Sequence, residues 1–311
     1  NMYKVIYLFS IGTGKYIPEK VITNNYFLQT EFFDENSKTF QKENQEIINE
    51  LVKITGIKER RYVRNDQCNS DIAYLAAENC LLSSTVDPET LDYIIVAHNF
   101  GDVPHFNPRS ALVPSIAAKV KQMLEIQNPF TVAFDILFGC PGWLQGMILA
   151  DSLIKNGAKR IMVIGAETLS RVSDPHDRDS MIYADGAGAT ILECTQSDSP
   201  VGIIAHAART DATQLLRMGP SYNPDFQGSE TFLKMDGSAI YEYALNHVAP
   251  LVKECLEKAN IPLEQVKKLL IHQANEKMDE KILQRLLEHN LSYTYILLYL
   301  LFLQFLQSLH Y

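Results

Sequence analysis

The sequence predicts an α/β fold with a mainly parallel sheet. Residues 91–97 and 160–165 are apolar almost throughout, as expected for short strands that are buried on both faces. Helical patterns separate such runs, and in residues 70–83 the small and apolar positions recur every three or four residues. Buried strands that alternate with helices are typical of a sheet covered by helices on both sides.

The first half of the chain supplies a regular series of these elements. Gly56 follows helix 44–54 and Gly157 follows helix 144–156, and glycine is a common stop residue for helices. Asp71 stands near the start of helix 70–83, where a carboxylate complements the helix dipole. The predicted strands are 5–12, 91–97, 130–137 and 160–165, and the predicted helices are 44–54, 70–83, 110–124 and 144–156.

The second half repeats the pattern but is incomplete. A glycine-rich turn at residues 185–188 leads into a strand ending at Leu192. The segments that follow are strand 201–207, loop 211–231, helix 238–259, strand 266–271 and helix 276–288. We therefore predict one half over residues 1–194, a second half over 195–289, and an atypical apolar tail over 290–311.

Composition and charge exclude several classes of protein. The 311 residues are 46% hydrophobic and 21% charged, which is ordinary for a soluble globular protein. A net charge of −9 argues against nucleic-acid binding. The five cysteines show no CxxC spacing, and the chain does not start with a signal-peptide pattern. We therefore expect reduced thiols and a cytoplasmic location, and the histidine spacing predicts no metal site.

The tail over residues 290–311 is the least typical segment. It contains no Asp, Glu, Lys or Arg and is close to the roughly 20 residues that a membrane helix needs. It lacks basic flanks, and Gln304 and Gln307 interrupt it. A membrane span, an amphipathic or core helix, and a frameshifted reading frame remain as interpretations, and we expect no membrane association.

Cys140 is the strongest candidate for a reactive group. It follows the predicted strand 130–137 and stands directly before helix 144–156. A thiol at a helix N-terminus feels a partial positive charge, which favours the nucleophilic thiolate. The structural alternative is a small buried apolar residue.

His272 is the second candidate. It lies at the carboxyl end of predicted strand 266–271, and open α/β sheets bind ligands at that edge. Asn275 stands just before the next helix. The structural alternative is a hydrogen-bonded histidine without a catalytic role.

Taken together, the motifs resemble the ketoacyl-ACP synthase III family of condensing enzymes, which have the thiolase fold. The similarity extends over about residues 3 to 288, and the motifs occur in the family's order. The resemblance implies a layered α/β/α/β/α arrangement of two related halves. The motifs are Thr55-Gly-Ile-Lys-Glu-Arg60, Asp135 with Cys140-Pro-Gly142, Val163-Ile-Gly-Ala-Glu167, Ser173-Asp-Pro-His-Asp-Arg178, Asp185-Gly-Ala-Gly-Ala189 and His272-Gln-Ala-Asn275.

The resemblance also implies a reaction. Cys140 accepts an acyl group from a thioester, a malonyl thioester loses CO₂, and the resulting enolate attacks the acyl group. His272 donates a hydrogen bond to the enolate oxygen. Arg178, Gly237 and Asn275 would bind the CoA or acyl-carrier-protein part of the thioester, and no other cofactor is implied.

The family further implies two kinds of partner. Members are homodimers, and they act on acyl carrier protein as well as CoA thioesters. Lys277, Lys281 and Arg285 lie on one side of the last helix and are candidates for docking the acidic carrier. A charged face exposed to solvent is the structural alternative.

Two departures from the family alter the expected activity. Glu50 and Ile54 stand where acetyl-CoA users have a Trp and an Arg, and the insert 32–49 alters the entrance. We therefore expect a longer or carrier-bound acyl donor. No glycine follows Gly237, so the family's His-Gly-Asn-Thr-Ser motif and Gly-Gly-Gly turn are not found in this sequence. Condensation is therefore expected to be impaired.

Two alternative functions remain open. One is a non-decarboxylating acyltransferase or a hydroxymethylglutaryl-CoA synthase-like enzyme, which needs a carboxylate near the thiol that the sequence does not identify. The other is an inactive partner subunit of a condensing enzyme, against which the presence of Cys140 argues.

Overall fold

The computed structural model describes residues 5–198 and 201–287. Its strands are β1 (Val5–Tyr16), β2 (Lys20–Thr23), β3 (Glu59–Tyr62), β4 (Tyr93–His98), β5 (Val132–Leu137), β6 (Arg160–Thr168), β7 (Asp185–Ser197), β8 (Leu216–Gly219) and β9 (Phe232–Met235). Its α-helices are α1 (Asn44–Thr55), α2 (Asn69–Ser84), α3 (Ile116–Met123), α4 (Gly142–Lys155), α5 (Gly237–Ala259) and α6 (Glu276–Leu287).

The central sheet has five strands in the order β1-β7-β6-β4-β5. β6, β4 and β5 are parallel neighbours, whereas β7 is antiparallel to both β6 and β1. The expectation of a mainly parallel sheet is therefore wrong in detail, because the sheet is mixed. The chain between β6 and β7 contains two short 3-10 helices and no α-helical crossover, so β7 returns beside β6 in the opposite direction.

Helices cover both faces of this sheet, as the sequence predicts. On β4, Ile94 belongs to the apolar cluster that contains α2 and α3, and Ile95 belongs to the cluster that contains α4. Alternate side chains of one strand thus enter two cores. Gly146 lets α4 approach closely, since a Cβ there would lie 2.6 Å from Val163 Cγ1.

Two predicted strands of the second half are not formed. Residues 201–207 have no strand structure, although the Ile203 N–H donates to the Leu8 carbonyl of β1 over 3.1 Å. Residues 266–271 also lack strand structure, and Leu270 is largely exposed. A strand needs a hydrogen-bonded neighbour, and neither segment pairs into a ladder within the described residues. The division into two halves at residue 194 stays a prediction.

The remaining boundaries differ modestly from the predictions. α3 begins at Ile116 rather than at residue 110, because Ser115 caps it by accepting the Ala118 N–H over 3.1 Å. The predicted loop 211–231 contains β8, which pairs with β9. The glycine-rich run 185–188 is part of β7 and not a turn before it.

The predictions for residues 290–311 lie outside the described residues. In the described ranges, no helix is both long and apolar enough to cross a membrane. Across the same ranges, no group of three or more His, Cys, Asp or Glu side chains is arranged to hold a metal ion.

Candidate active site

The carboxyl ends of the three parallel strands carry the polar residues of the site. β4 ends at His98, β6 ends just after Glu167, and β5 leads into the loop that contains Cys140. The strands are aligned, since Ala97 is paired with Gly165 on one side and Ile136 on the other. Side chains from three separate segments therefore meet at one edge of the sheet.

Cys140 lies in a tight turn between β5 and α4. The Phe138 N–H donates to the His98 carbonyl over 3.1 Å, and the Gly142 N–H donates to the Gly139 carbonyl over 2.7 Å. Pro141 is the N-cap residue and α4 begins at Gly142. Cys140 therefore lies just before the helix, which begins at Gly142 and not at the predicted residue 144.

The Cys140 residue is exposed, yet its thiol is closely surrounded by protein. Burial raises the pKa of the Cys140 thiol; its own backbone N–H lowers the pKa, and the charge of Glu167 raises it. The backbone N–H acts in the direction expected of the helix start, but desolvation outweighs it and the net pKa is raised.

His98 and Asp135 form a buried pair beneath the site. His98 Nε2 lies 2.9 Å from Asp135 Oδ2, and His98 Nδ1 accepts the Gly101 N–H over 3.0 Å. Asp135 also accepts the N–H groups of Ile116 and Ala117, at 2.7 and 2.8 Å. Asp135 therefore anchors the start of α3, which gives this motif residue a structural role.

Glu167 is a buried carboxyl close to this pair, and its role could not be assigned from the sequence. It is 1% exposed, and its Oε2 accepts the Asn99 backbone N–H over 2.7 Å. Burial raises the pKa of Glu167 to about 7, against the opposing effects of Asn99 and His98. The position of Glu167 and Asn99 at the ends of β6 and β4 is the signal that could have identified them.

His272 and Asn275 precede α6. His272 is an exposed residue whose ring is nevertheless closely surrounded, and burial lowers its pKa. Asn275 Oδ1 accepts the Met278 N–H over 2.9 Å and so caps α6. Within the described residues, no hydrogen bond or ion pair joins His272 to Cys140. Their pairing, and ligand binding by Asn275, stay predictions.

Arg178 and Gly237 are the remaining predicted binding residues. The Arg178 guanidinium lies over the Phe40 ring, 5.2 Å from its centroid, so the insert 32–49 covers one face of this arginine. Gly237 is the first residue of α5, and a Cβ there would lie 3.8 Å from Asp179 Oδ2. This distance is an ordinary contact, so the local packing does not require glycine at position 237.

The motif 173–178 is held in place by a buried lysine. Lys234 on β9 lies 2.5 Å from Asp174 Oδ2 and 3.3 Å from Asp177 Oδ2, measured from Nζ. The Nζ atom also lies 3.3 Å from the centroid of the Tyr222 ring. The lysine therefore fixes the loop that carries Arg178.

Comparisons with known proteins identify the family of this chain. The family model for 3-oxoacyl-[acyl-carrier-protein] synthase III matches residues 134–212. The beta-ketoacyl-[acyl-carrier-protein] synthase III of Ehrlichia ruminantium is 32% identical over 89% of this chain and 80% of its own length. The chain belongs to the ketoacyl-ACP synthase III family. The synthase of Streptococcus equi is 37% identical over 75% of this chain and 70% of its own.

A solved structure of the family has the same fold. The 3-oxoacyl-[acyl-carrier-protein] synthase III of Aquifex aeolicus superimposes with a TM-score of 0.71 and 30% identity, over 90% of this chain and 80% of that one. The chain therefore has the thiolase fold and is an acyltransferase of the condensing-enzyme class.

Proposed function

We propose that this chain transfers an acyl group from a thioester to Cys140 and then condenses it with a malonyl thioester. The observation that carries the proposal is the placement of an exposed cysteine residue at the carboxyl edge of the sheet, before α4. That edge is where open α/β sheets bind ligands. The substrates of the named relatives, carrier-protein thioesters, supply the chemical class.

His272 is the proposed donor to the enolate oxygen. Burial lowers the pKa of its imidazole, so the ring is neutral over a wider pH range than a free histidine. A neutral ring still offers one N–H donor for the charge that develops on the enolate oxygen. This role requires His272 to reach the acyl group on Cys140.

The acyl donor is proposed to be bound to a carrier protein and not to CoA. Phe40 already covers one face of Arg178, where a base could otherwise stack. Ile54 is 67% exposed and offers no ring for stacking. On α6, Lys277, Lys281 and Arg285 are all exposed and form a basic face that could dock an acidic carrier.

A homodimer is proposed across the free edge of β5. This strand is the last in the sheet, so one row of its backbone groups has no partner strand among the described residues. Val132 and Leu137 on this strand are 48% and 67% exposed. Pairing with β5 of a second copy would cover these side chains. We also propose that the protein is located in the cytoplasm.

The condensation half of the reaction is proposed to be slow. The sequence contains no glycine after Gly237 and no His-Gly-Asn-Thr-Ser motif. The Asn of that motif would be a second hydrogen-bond donor to the enolate oxygen, and loss of one such donor typically costs about a hundredfold to a thousandfold in rate. Acylation of Cys140 precedes enolate formation and does not use that Asn.

The experiment compares the two half-reactions in one sample. The protein is mixed with an acyl-carrier-protein thioester and malonyl carrier protein, and acylation and CO₂ release are timed separately. We expect acylation to be much faster than CO₂ release, and His272→Ala to reduce CO₂ release further while leaving acylation intact. Equal rates, or a His272→Ala variant that condenses normally, would refute the assigned roles.

One observation favours the non-decarboxylating alternative. That chemistry needs a carboxylate near the thiol, and the charge of Glu167 does act on Cys140. The same experiment separates the two reactions. A condensed product that forms without malonyl groups and without CO₂ would identify the alternative.

A further inference from the structure

His176 is a half-buried histidine to which the proposed reaction gives no role. It lies on the loop that carries Arg178, two residues before that arginine. Its Nδ1 lies 3.0 Å from the Glu31 carbonyl oxygen, and its Nε2 lies 3.3 Å from Asn223 Nδ2. The ring therefore joins three segments, which are the start of the insert 32–49, the Arg178 loop and the turn that contains Asn223.

The hydrogen-bond partners of the ring decide which nitrogen donates. A carbonyl oxygen only accepts, so Nδ1 of His176 carries the proton and donates to Glu31. Asn223 Oδ1 accepts the Asp225 N–H over 2.9 Å, so the amide NH₂ of Asn223 faces the ring. Nε2 therefore accepts. The two nitrogens have different partners, and each bond can be removed without the other.

The backbone of His176 holds the insert at the same place. The Phe33 N–H donates to the His176 carbonyl over 2.9 Å, and Phe33 forms a parallel bridge with Asp177. The Phe33 ring packs edge-on against the imidazole, with 5.9 Å between the ring centroids. Phe33 is buried. The position of Phe33 is therefore set by the loop that carries Arg178.

Phe33 is connected in turn to the ring that covers Arg178. It forms an antiparallel bridge with Thr39, and backbone hydrogen bonds within residues 34–38 close the turn between the two. Phe40 follows Thr39, and its ring lies over the Arg178 guanidinium. A displacement of Phe33 from the loop would therefore also move Phe40 away from Arg178.

We propose that His176 is a positioning residue that, through its bond to the Glu31 carbonyl, keeps Phe40 over Arg178 and so selects a carrier-bound acyl donor over acyl-CoA. Arg178 is otherwise exposed. Without the ring, its guanidinium has a free face for the base or the phosphates of CoA. The proposal rests on the proposed function in its choice of donor, and it adds the residue that enforces this choice.

Two substitutions at His176 separate the two bonds of the ring. His176→Asn places an amide N–H near the position of Nδ1 and keeps the donor to Glu31, whereas His176→Gln places its amide near Nε2 and loses that donor. Binding of free CoA is measured by calorimetry. We expect His176→Gln to bind CoA about fivefold more tightly, because one hydrogen bond of ordinary strength shifts the open fraction by about that factor. His176→Asn should bind CoA as the wild type does.

Acylation of Cys140 gives the matching kinetic result. In His176→Gln, the KM for acyl-CoA should fall about fivefold while kcat stays the same, and both constants for the carrier-bound donor should stay the same. A loss of folding stability alone would not lower one KM selectively. Free CoA carries no acyl group, so its affinity is measured independently of catalysis. Failure of both donors to acylate Cys140 would refute the proposed function, whereas an unchanged CoA affinity in His176→Gln would overturn the role of His176.

Two further variants serve as controls. Lys42→Ala removes an exposed ion pair with Glu50 from the same insert, and Asn223→Ala removes only the second bond of the imidazole. Both should bind CoA as the wild type does. A gain in CoA affinity in either control equal to that in His176→Gln would overturn the proposal.

Hydrogen exchange of the peptide over residues 31–41 reports the position of the insert directly. We expect faster exchange of this peptide in His176→Gln than in the wild type, and no change in His176→Asn. Exchange in the core strands β4 and β6 shows whether each variant is folded. Tighter CoA binding without faster exchange of the insert, or faster exchange without tighter binding, would contradict the proposed link between His176 and Phe40.

Discussion

Asn99 donates its backbone N–H to Glu167 Oε2 over 2.7 Å, and this contact joins the end of β4 to the end of β6. Asn99 is exposed, whereas Glu167 is 1% exposed. The contact therefore links an exposed residue at the carboxyl edge of the sheet to a buried carboxyl. Burial raises the pKa of the Cys140 thiol, and the charge of Glu167 acts in the same direction.

The buried lysine beneath the Arg178 loop should be important for stability. Lys234→Met would leave Asp174 and Asp177 without their cation, and breaking a buried pair typically costs about 3–5 kcal/mol. Urea unfolding measures the loss. Lys258→Met removes an exposed pair with Glu254 and should cost at most about 0.5 kcal/mol. Similar losses in the two variants would contradict the role of Lys234.

The ring of Phe40 should exclude a CoA nucleotide from Arg178. Phe40→Leu keeps an apolar side chain but exposes the guanidinium face that the ring now covers. We expect this variant to use acyl-CoA several-fold better while its rate with the carrier-bound donor stays the same. The check is the ratio of Cys140 acylation rates with the two donors. An unchanged ratio would show that Phe40 does not select the donor.

The free edge of β5 should be the dimer interface. Val132→Arg places a charge on an exposed apolar position of this strand, so pairing of two copies should weaken. Light scattering should give about twice 35.2 kDa for the wild type and a smaller mass for the variant. Leu82→Arg, at an exposed position on α2, should leave the mass unchanged. A dimer that persists in Val132→Arg would place the interface elsewhere.

The sequence predicted those parts of the fold that depend on local pattern. Apolar runs identified β4 and β6, because a strand buried on both faces must be apolar along its length. The same rule failed for residues 201–207 and 266–271. These segments have the amino-acid composition of a strand. A strand also requires a neighbouring strand that it can pair with, and composition does not reveal whether that neighbour is present.

For the candidate site, the sequence predicts individual residues, and their roles stay predictions. Cys140 was identifiable from its position between a strand and a helix, although its raised pKa was not, since desolvation depends on residues remote in sequence. Glu167 formed part of a recognised motif, but its burial and its link to Asn99 arise only when β4 and β6 pair. The sequence predicts Asn275 as a binding residue, whereas its capping contact with Met278 is visible only in the structure.

The most direct test of the account is the site at which an acyl group becomes attached. The protein is incubated with an acyl-carrier-protein thioester, digested and mapped by mass spectrometry, with Cys140→Ala as the control. We expect one acyl group on the Cys140 peptide and none in the variant. An unmodified Cys140, or an acyl group on Cys68, Cys194 or Cys255 instead, would contradict it.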